Sequence, residues 1–373
     1  MRIGFDGRWF FSGNPSGRVV VRNLLQQLIV HHPEHEYFIF LPRHDRDLPF
    51  PFPGPRVHLL YMASVNGLLS NCFLFPWRAR KMELDVGIFQ YFTPCFSKFR
   101  RIVYIHDAIF KTHPHFFPFW ERCYFLPMKF FARCAHLIIT VSQAEQRQLQ
   151  ALGFSCRGKI EVIANGVSRV FRPVEAHPQD QLRQIALRYS LPDRFILYVG
   201  RIDVRKNIPG LLHAFAQLQE INVQLILVGS GDPRKQHIEA IIQKHGIIEK
   251  VRFIGWVNDA DLPLLYAQAC AFVYPSFVEG FGLPPLEALA SGVPVVVSDI
   301  DVMHEVCGNA ALYVNPHDHV SIAAGLRKVM TDIDLRQELR IRGLAQAAKF
   351  NWEHSIEKLF DLIVDLNEKK ELM

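Results

Sequence analysis

Two carboxylates, Glu279 and Glu287, bracket the run Gly280-Phe281-Gly282-Leu283-Pro284-Pro285. The glycines permit a sharp turn. The proline pair predicts a helix opening there, since the amide that proline lacks would have no intrahelical partner in the first turn. The exposed amides of Gly282 and Leu283, with the positive end of the helix dipole behind them, make a site for an anion such as phosphate. Beside such a site the acids are best used on hydroxyls. A carboxylate accepts hydrogen bonds from two neighbouring ring hydroxyls, and a sugar nucleotide presents such pairs on its ribose and on its second sugar. Taken alone, the two residues fit equally a solvated loop glutamate and a glutamate favouring a helix start.

The segment GRIDVRKN (200–207) supplies cations. Arg201 can grip a diphosphate through its fork and Lys206 as a point charge, stabilising the charge that builds on a departing phosphate. His106-Asp107 falls at the carboxyl end of an apolar run, where open parallel sheets bind their ligands, so His106 is a further candidate. Gly13, Ser16 and Gly17 lie between an opening apolar run and the helical pattern 19–32, a place where a diphosphate could rest against backbone amides. GSGD (229–232) follows another apolar run in the same way.

What must position these residues is a series of short apolar strands. Residues 2–10, 36–42, 56–62, 85–91, 101–107, 136–142 and the start of 160–173, which runs into the Asn165-Gly166 turn, form a first set. Residues 194–200, 223–229, 251–257, 271–276, 294–299 and 311–316 form a second, separated by amphipathic segments. Buried strands alternating with helices predict an α/β architecture of two doubly wound, Rossmann-like parallel sheets. The polar, proline-containing VEAHPQDQL (174–182) reads as the linker. The domains expected are then 1–175, 176–352, and a last amphipathic helical segment over 353–373.

A chain of 373 residues accommodates two cores of ordinary size. Its seven cysteines form no Cys-x-x-Cys and no zinc spacing, which predicts free thiols in a reducing cytoplasm. No apolar run reaches signal-peptide or membrane-spanning length. Residues 1–170 hold 21 of the 42 Lys and Arg but 11 of the 36 Asp and Glu, with 21 of the 30 phenylalanines. In that basic half, 66–82 and 110–134 mix aromatic and cationic residues, the composition of membrane-interface segments. Contact with an anionic membrane surface therefore stands beside the alternative of a core face with a solvated basic edge. Nucleic acid would require a continuous basic stripe; the phenylalanine-rich surroundings disfavour it, and no nucleic-acid partner is expected.

In this order and spacing, Glu279-x7-Glu287, Gly200-Arg201 followed by Lys206-Asn207, the Asn165-Gly166 turn, His106-Asp107 and the terminal helix resemble the retaining glycosyltransferases of group 1, family 4, with the GT-B fold. The resemblance spans nearly the whole chain, and the FDGR opening looks like that of bacterial polysaccharide mannosyltransferases. It implies two facing domains with a nucleotide-sugar cleft between them and a last helix returning to the N-terminal domain. By the resemblance, Arg201 and Lys206 hold the donor diphosphate, Glu287 the ribose hydroxyls and Glu279 the transferred sugar. The amides of Phe281, Gly282 and Leu283 complete the phosphate and sugar site. His106 touches the sugar from the N-terminal side, Gly17 approaches the diphosphate, and the backbone at Trp256-Val257 meets the base. The first loop in these enzymes usually carries closely spaced glycines; here Asn14-Pro15-Ser16 separates Gly13 from Gly17. No cofactor and no metal site is implied, and Asp299-x-Asp301, after a strand of the second half, is read as chance.

The expected reaction is metal-independent hexosyl transfer with retention, from GDP-mannose or, second, a UDP-sugar, to a glycan or polyprenyl-linked acceptor of cell-surface polysaccharide. The expected place is the cytoplasm or the inner face of the cell membrane. A sugar-nucleotide epimerase of the same fold is the rival; it would consume the donor with no acceptor present. A non-catalytic subunit is disfavoured by the joint presence of Glu279, Lys206 and His106.

Overall fold

Each apolar run singled out in the sequence becomes a strand. β1 (Arg2–Asp6), β2 (Glu36–Pro42), β3 (Val57–Met62), β4 (Val86–Gln90), β5 (Arg100–Tyr104), β6 (Leu137–Thr140) and β7 (Ile160–Val162) pair in the order β3-β2-β1-β4-β5-β6-β7. β8 (Phe195–Val199), β9 (Gln224–Val228), β10 (Val251–Gly255), β11 (Ala271–Tyr274), β12 (Val295–Ser298) and β13 (Ala311–Val314) pair in the order β10-β9-β8-β11-β12-β13. These pairings are parallel. β4, β11 and β12 are buried along their whole length, which a parallel strand reaches only with both faces of the sheet covered.

The computed structural model describes residues 1–13, 15–229, 231 and 235–371, without the side chains of 235, 236 and 369–371. The chain divides into two units, one of Met1–Gly166 with Trp352–Met373 and the other of Val167–Asn351, each built around one sheet. Both sheets step outward from their first strand and then restart on its other side, so each has a switch point: β1 against β4, and β8 against β11. Loops leaving the carboxyl ends of those neighbours diverge and leave room for a ligand.

Three expectations change. The first helix spans Pro15–His31, beginning earlier than the 19–32 pattern. Proline fits a first turn, so Gly17 is buried within that turn rather than held in a loop. Residues 174–182 do not form a free linker. They fold as a turn of 3-10 helix, Val174–Ala176, and the opening of the helix Gln179–Arg188, whose Leu182 and Ile185 pack on Leu264. The change of unit falls instead beside the Asn165-Gly166 turn. The helix Trp352–Glu371 belongs to the first unit, where Ser355 Oγ donates to the Ala164 carbonyl (2.6 Å) and Phe360 stacks on His32.

The two basic aromatic stretches divide between core and surface. Phe75, Phe110 and Met128 are buried, while Phe73, Trp77, Phe119, Trp120, Leu126 and Phe130 are exposed. Among the described residues no helix is long and apolar enough to cross a membrane.

Candidate active site

Because β8 and β11 are hydrogen-bonded neighbours, side chains of the two loops that leave them reach each other across the switch point. The first loop ends at Asn207, whose backbone is left-handed and whose Oδ1 accepts from the Gly210 amide (3.2 Å), starting the helix Ile208–Phe215. The second loop runs to Gly282 and starts the helix Leu283–Ala290. Lys206, from the first, donates to Glu279 Oε1, from the second, and to the Tyr274 hydroxyl at the end of β11. Its ammonium lies 4.6 Å from the centre of the Tyr274 ring. Both partners of the ion pair are buried, their side chains 7% and 9% exposed.

Two further cations complete the cluster. Arg205 donates to the Val278 carbonyl (3.1 Å) and lies 3.4 Å from Glu279 Oε2. Arg201, more than half exposed, is paired with Asp203 (2.9 Å), and Asp203 Oδ1 accepts the Lys206 amide (3.0 Å). Arg201 therefore joins Lys206 through Asp203. Three cations face two carboxylates, and the surplus positive charge suits an anion.

Burial alone would raise the Glu279 carboxyl; the Lys206 ammonium and the Arg205 guanidinium overcome it and hold the group down at about 2. Burial and the neighbouring Arg205 lower Lys206 to about 8 against the pull of Glu279. At neutral pH Glu279 is ionised and Lys206 is largely charged.

Gly282 caps the next helix at φ +118°, a conformation side chains rarely adopt, and a Cβ there would come within 2.9 Å of Met303 Cε. Phe281 and Leu283 are buried, Phe281 edge-on to Phe350. Glu287, one turn into the helix, is held elsewhere: its Oε2 accepts from the Tyr266 hydroxyl (3.0 Å). Burial raises its carboxyl to about 8, against the opposing Tyr266 hydrogen bond, so at neutral pH it is mostly protonated. Trp256, half exposed, and buried Val257 follow β10, the edge strand two positions from β8. Ser230 and Asp232 of the GSGD segment lie outside the described residues.

In the first unit, His106 leaves the end of β5 and its Nε2 meets Gln90 Oε1 at 2.7 Å. The amide oxygen accepts, so Nε2 carries the proton. The rings of Trp9, Tyr91 and Tyr104 surround it. Burial pushes His106 down to about 4, leaving it neutral. Behind it, buried Glu145 accepts the Ala108 amide (2.8 Å), and burial with the nearby Asp107 raises its carboxyl to about 8.

The structure thus joins Lys206 to Glu279 directly, Arg201 through Asp203, and Glu287 to the helix that Gly282 opens. Sequence reasoning missed Arg205, Tyr274, Tyr266, Gln90 and Glu145. Glu145 had a signal, since Ser142-x-x-Glu145 is a capping pattern, and Ser142 Oγ does accept the Glu145 amide (3.0 Å).

Residues 179–346 match the family of glycosyl transferases group 1, and residues 17–170 match glycosyltransferase family 4. The chain is 34% identical over 263 residues to O-antigen chain mannosyltransferase B of Escherichia coli, a match covering 68% of each. It is 33% identical over 227 residues to the serotype-specific mannosyltransferase WbdA of Escherichia coli, covering 59% of this chain and 28% of that one. Sucrose-phosphate synthase from Thermosynechococcus elongatus shares the fold, with a TM-score of 0.80 over 98% of this chain and 99% of that one at 22% identity. Two parallel α/β sheets wound in the same order, family matches over both halves, and a relative 34% identical and matched over two thirds of both chains place the protein among the group 1, family 4 glycosyltransferases.

Proposed function

We propose that the protein transfers mannose from GDP-mannose, with retention at the anomeric carbon and without a metal, to a glycan or polyprenyl-linked acceptor of cell-surface polysaccharide. The observation that carries this reading is the buried Lys206–Glu279 pair within a cluster of surplus positive charge at the switch point of the second sheet. The name of the mannosyltransferase relative supports the sugar.

An ammonium has three donors, and Lys206 spends two on Glu279 and Tyr274. The third is available to a phosphate oxygen. With Arg201 and the Gly282 and Leu283 amides it would stabilise the diphosphate as the bond from the anomeric carbon breaks, the step where charge develops. The acceptor hydroxyl attacks from the face the diphosphate leaves, and its proton passes to the departing phosphate oxygen. Glu279, fixed as a carboxylate, accepts from hydroxyls of the transferred sugar. Glu287, protonated and held by Tyr266, both donates to and accepts from the ribose hydroxyls. Phe281 lends its amide and the Trp256-Val257 backbone meets the base; from the first unit, neutral His106, its Nε2 proton given to Gln90, would accept through Nδ1 from a hydroxyl of the sugar, and the Gly17 turn would approach the diphosphate.

The reaction is assigned to the cytoplasm, with the exposed aromatics of 66–82 and 110–134 resting on the anionic inner face of the membrane. Incubation with GDP-mannose and a mannose-terminated acceptor, compared with UDP-glucose and with no acceptor, tests the reaction. GDP release that depends on acceptor and an α-linked product are expected. Conversion of the donor to another sugar nucleotide without acceptor, or consumption of UDP-glucose alone, overturns it.

A further inference from the structure

Three strand ends of the first sheet are tied together by side chains at its switch point. The β1–β4 ladder ends with Phe5 against Ile88. Beyond it the Gln90 amide, at the end of β4, donates to Asp6 Oδ2 (3.2 Å) rather than to the β1 backbone. The Gln90 carbonyl accepts from Asn71 Nδ2 (3.2 Å), which also bonds Asp6 Oδ2 (2.8 Å). Arg8 in turn grips both Asp6 oxygens (2.8 Å each). Gln90 is fully buried, so its backbone is fixed by a network with a charged pair at its centre.

The Gln90 side chain serves the third strand. Its Oε1 lies 2.7 Å from Nε2 of His106, which follows β5 and is partly exposed. Among the described residues Gln90 is the hydrogen-bond partner of that ring; Trp9, Tyr91 and Tyr104 approach it as rings, their centres 5.5, 5.7 and 5.8 Å away. Aromatic neighbours fix where an imidazole lies. Which nitrogen carries its proton is set by the hydrogen bond. The backbone beyond His106 has its own anchor, since Glu145 accepts the Ala108 amide (2.8 Å), so the loop keeps its course without Gln90.

The fold gains little from the carboxamide itself. Gln90 Nε2 is buried and has no hydrogen-bond partner in the protein. An idle buried donor costs stability that an apolar side chain of similar size would not. Methionine would fill the same space. What it could not supply is an acceptor for the Nε2 proton of His106.

We propose that Gln90 is a positioning residue for hexosyl transfer: its Oε1 keeps the His106 proton on Nε2 and so leaves Nδ1 bare to accept from a sugar hydroxyl. The assignment rests on the glycosyltransferase reading, which gives His106 a sugar to meet, and adds the group that decides whether His106 accepts or donates.

The test labels the histidines of the full chain with nitrogen-15 and reads long-range proton–nitrogen NMR at pH 7, where His106 is neutral. Such spectra distinguish a protonated ring nitrogen from a bare one, and the His106→Asn variant assigns the signal. The parent should carry the proton on Nε2. In Gln90→Met the proton should leave Nε2 for Nδ1 or exchange between the two, with a melting temperature no lower than the parent's. GDP binding should be unchanged in that variant, because GDP brings no transferred sugar. Its kcat with GDP-mannose should fall about two- to tenfold, the worth of one neutral hydrogen bond. A proton on Nδ1 in the parent, or on Nε2 in parent and variant alike, overturns the proposal. A Gln90→Met variant that melts well below the parent makes the carboxamide structural and overturns it too. If the tautomers behave as expected while GDP-mannose is never consumed, the control of His106 by Gln90 stands and the transfer reading falls; transfer with an unmoved tautomer removes the role of Gln90 alone.

Discussion

Lys206 and Glu279 form a buried ion pair that also takes in the Tyr274 hydroxyl, and the pair exists because β8 and β11 lie side by side at the switch point of their sheet. The cation and the acid are 73 residues apart in sequence, so topology alone brings them together. Their mutual attraction keeps Glu279 ionised where burial would neutralise it. Each therefore sets the charge state of the other, and removing one strands its partner.

Lys206→Ala should cost about 3 kcal/mol of stability, the lower end for breaking a buried pair, because Arg205 still stands near Glu279. Adding Glu279→Gln to that variant should recover part of the loss. Turnover should fall about 10²–10³-fold in the single variant and stay low in the double. Urea denaturation beside a GDP-release assay separates the two effects. If the double variant is no more stable than the single, the pair is not what organises the cluster.

Glu287 predicts a pH dependence of stability. Its carboxyl is raised to about 8 in the folded chain from 4.5. The folded state therefore binds the proton more tightly, and between those values stability falls as pH rises. Glu287→Gln removes the titration while keeping a polar partner for Tyr266. Its melting temperature should gain on the parent steadily from pH 5 to pH 8, and GDP binding should change little near neutrality, because an amide mimics the protonated acid. A constant difference across that range would show that Glu287 is ionised throughout.

Gly282→Ala tests the helix opening. A side chain at φ +118° meets backbone strain of about 1–3 kcal/mol and presses on Met303 Cε. The expected result is a lower melting temperature together with weaker GDP binding, since the amides of 282 and 283 move with the turn. Met303→Ala added to it should relieve the crowding but not the strain, so only part of the stability returns. An unchanged melt in Gly282→Ala would mean that the turn accepts a side chain freely.

The strands were readable from sequence because they are short apolar runs, β4, β11 and β12 among them buried on both faces, a pattern that owes nothing to distant partners. The linker is misplaced because Leu182 and Ile185 stand among mostly polar residues, and Leu264, which they pack on, comes far later in the chain. The site shows the same division. Glu279, Lys206 and the Gly282 turn announce themselves by spacing. Sequence does not show that Arg205 rather than Arg201 reaches Glu279, or that Tyr266 leaves Glu287 protonated, because both follow from pairings made by the fold.

The proposed membrane contact rests on surface chemistry. Phe73, Trp77, Phe119, Trp120 and Phe130 are exposed, and Arg78, Arg80, Lys81, Arg122 and Arg133 are exposed among them. The two stretches meet where Tyr124 bonds the Gly67 backbone. Aromatic rings beside cations suit the headgroup layer of an anionic membrane, where each Lys or Arg contributes roughly 1 kcal/mol. The protein should sediment with phosphatidylglycerol vesicles at low salt, and much less with phosphatidylcholine. Raising the salt to about 0.5 M should release it, since the screening length then drops to a few ångströms. Phe119→Ser/Trp120→Ser should weaken binding even at low salt, because it removes apolar contact without touching charge. Binding unaffected by that double change would assign the attraction to charge alone, and no sedimentation at low salt would leave these rings without a membrane to face.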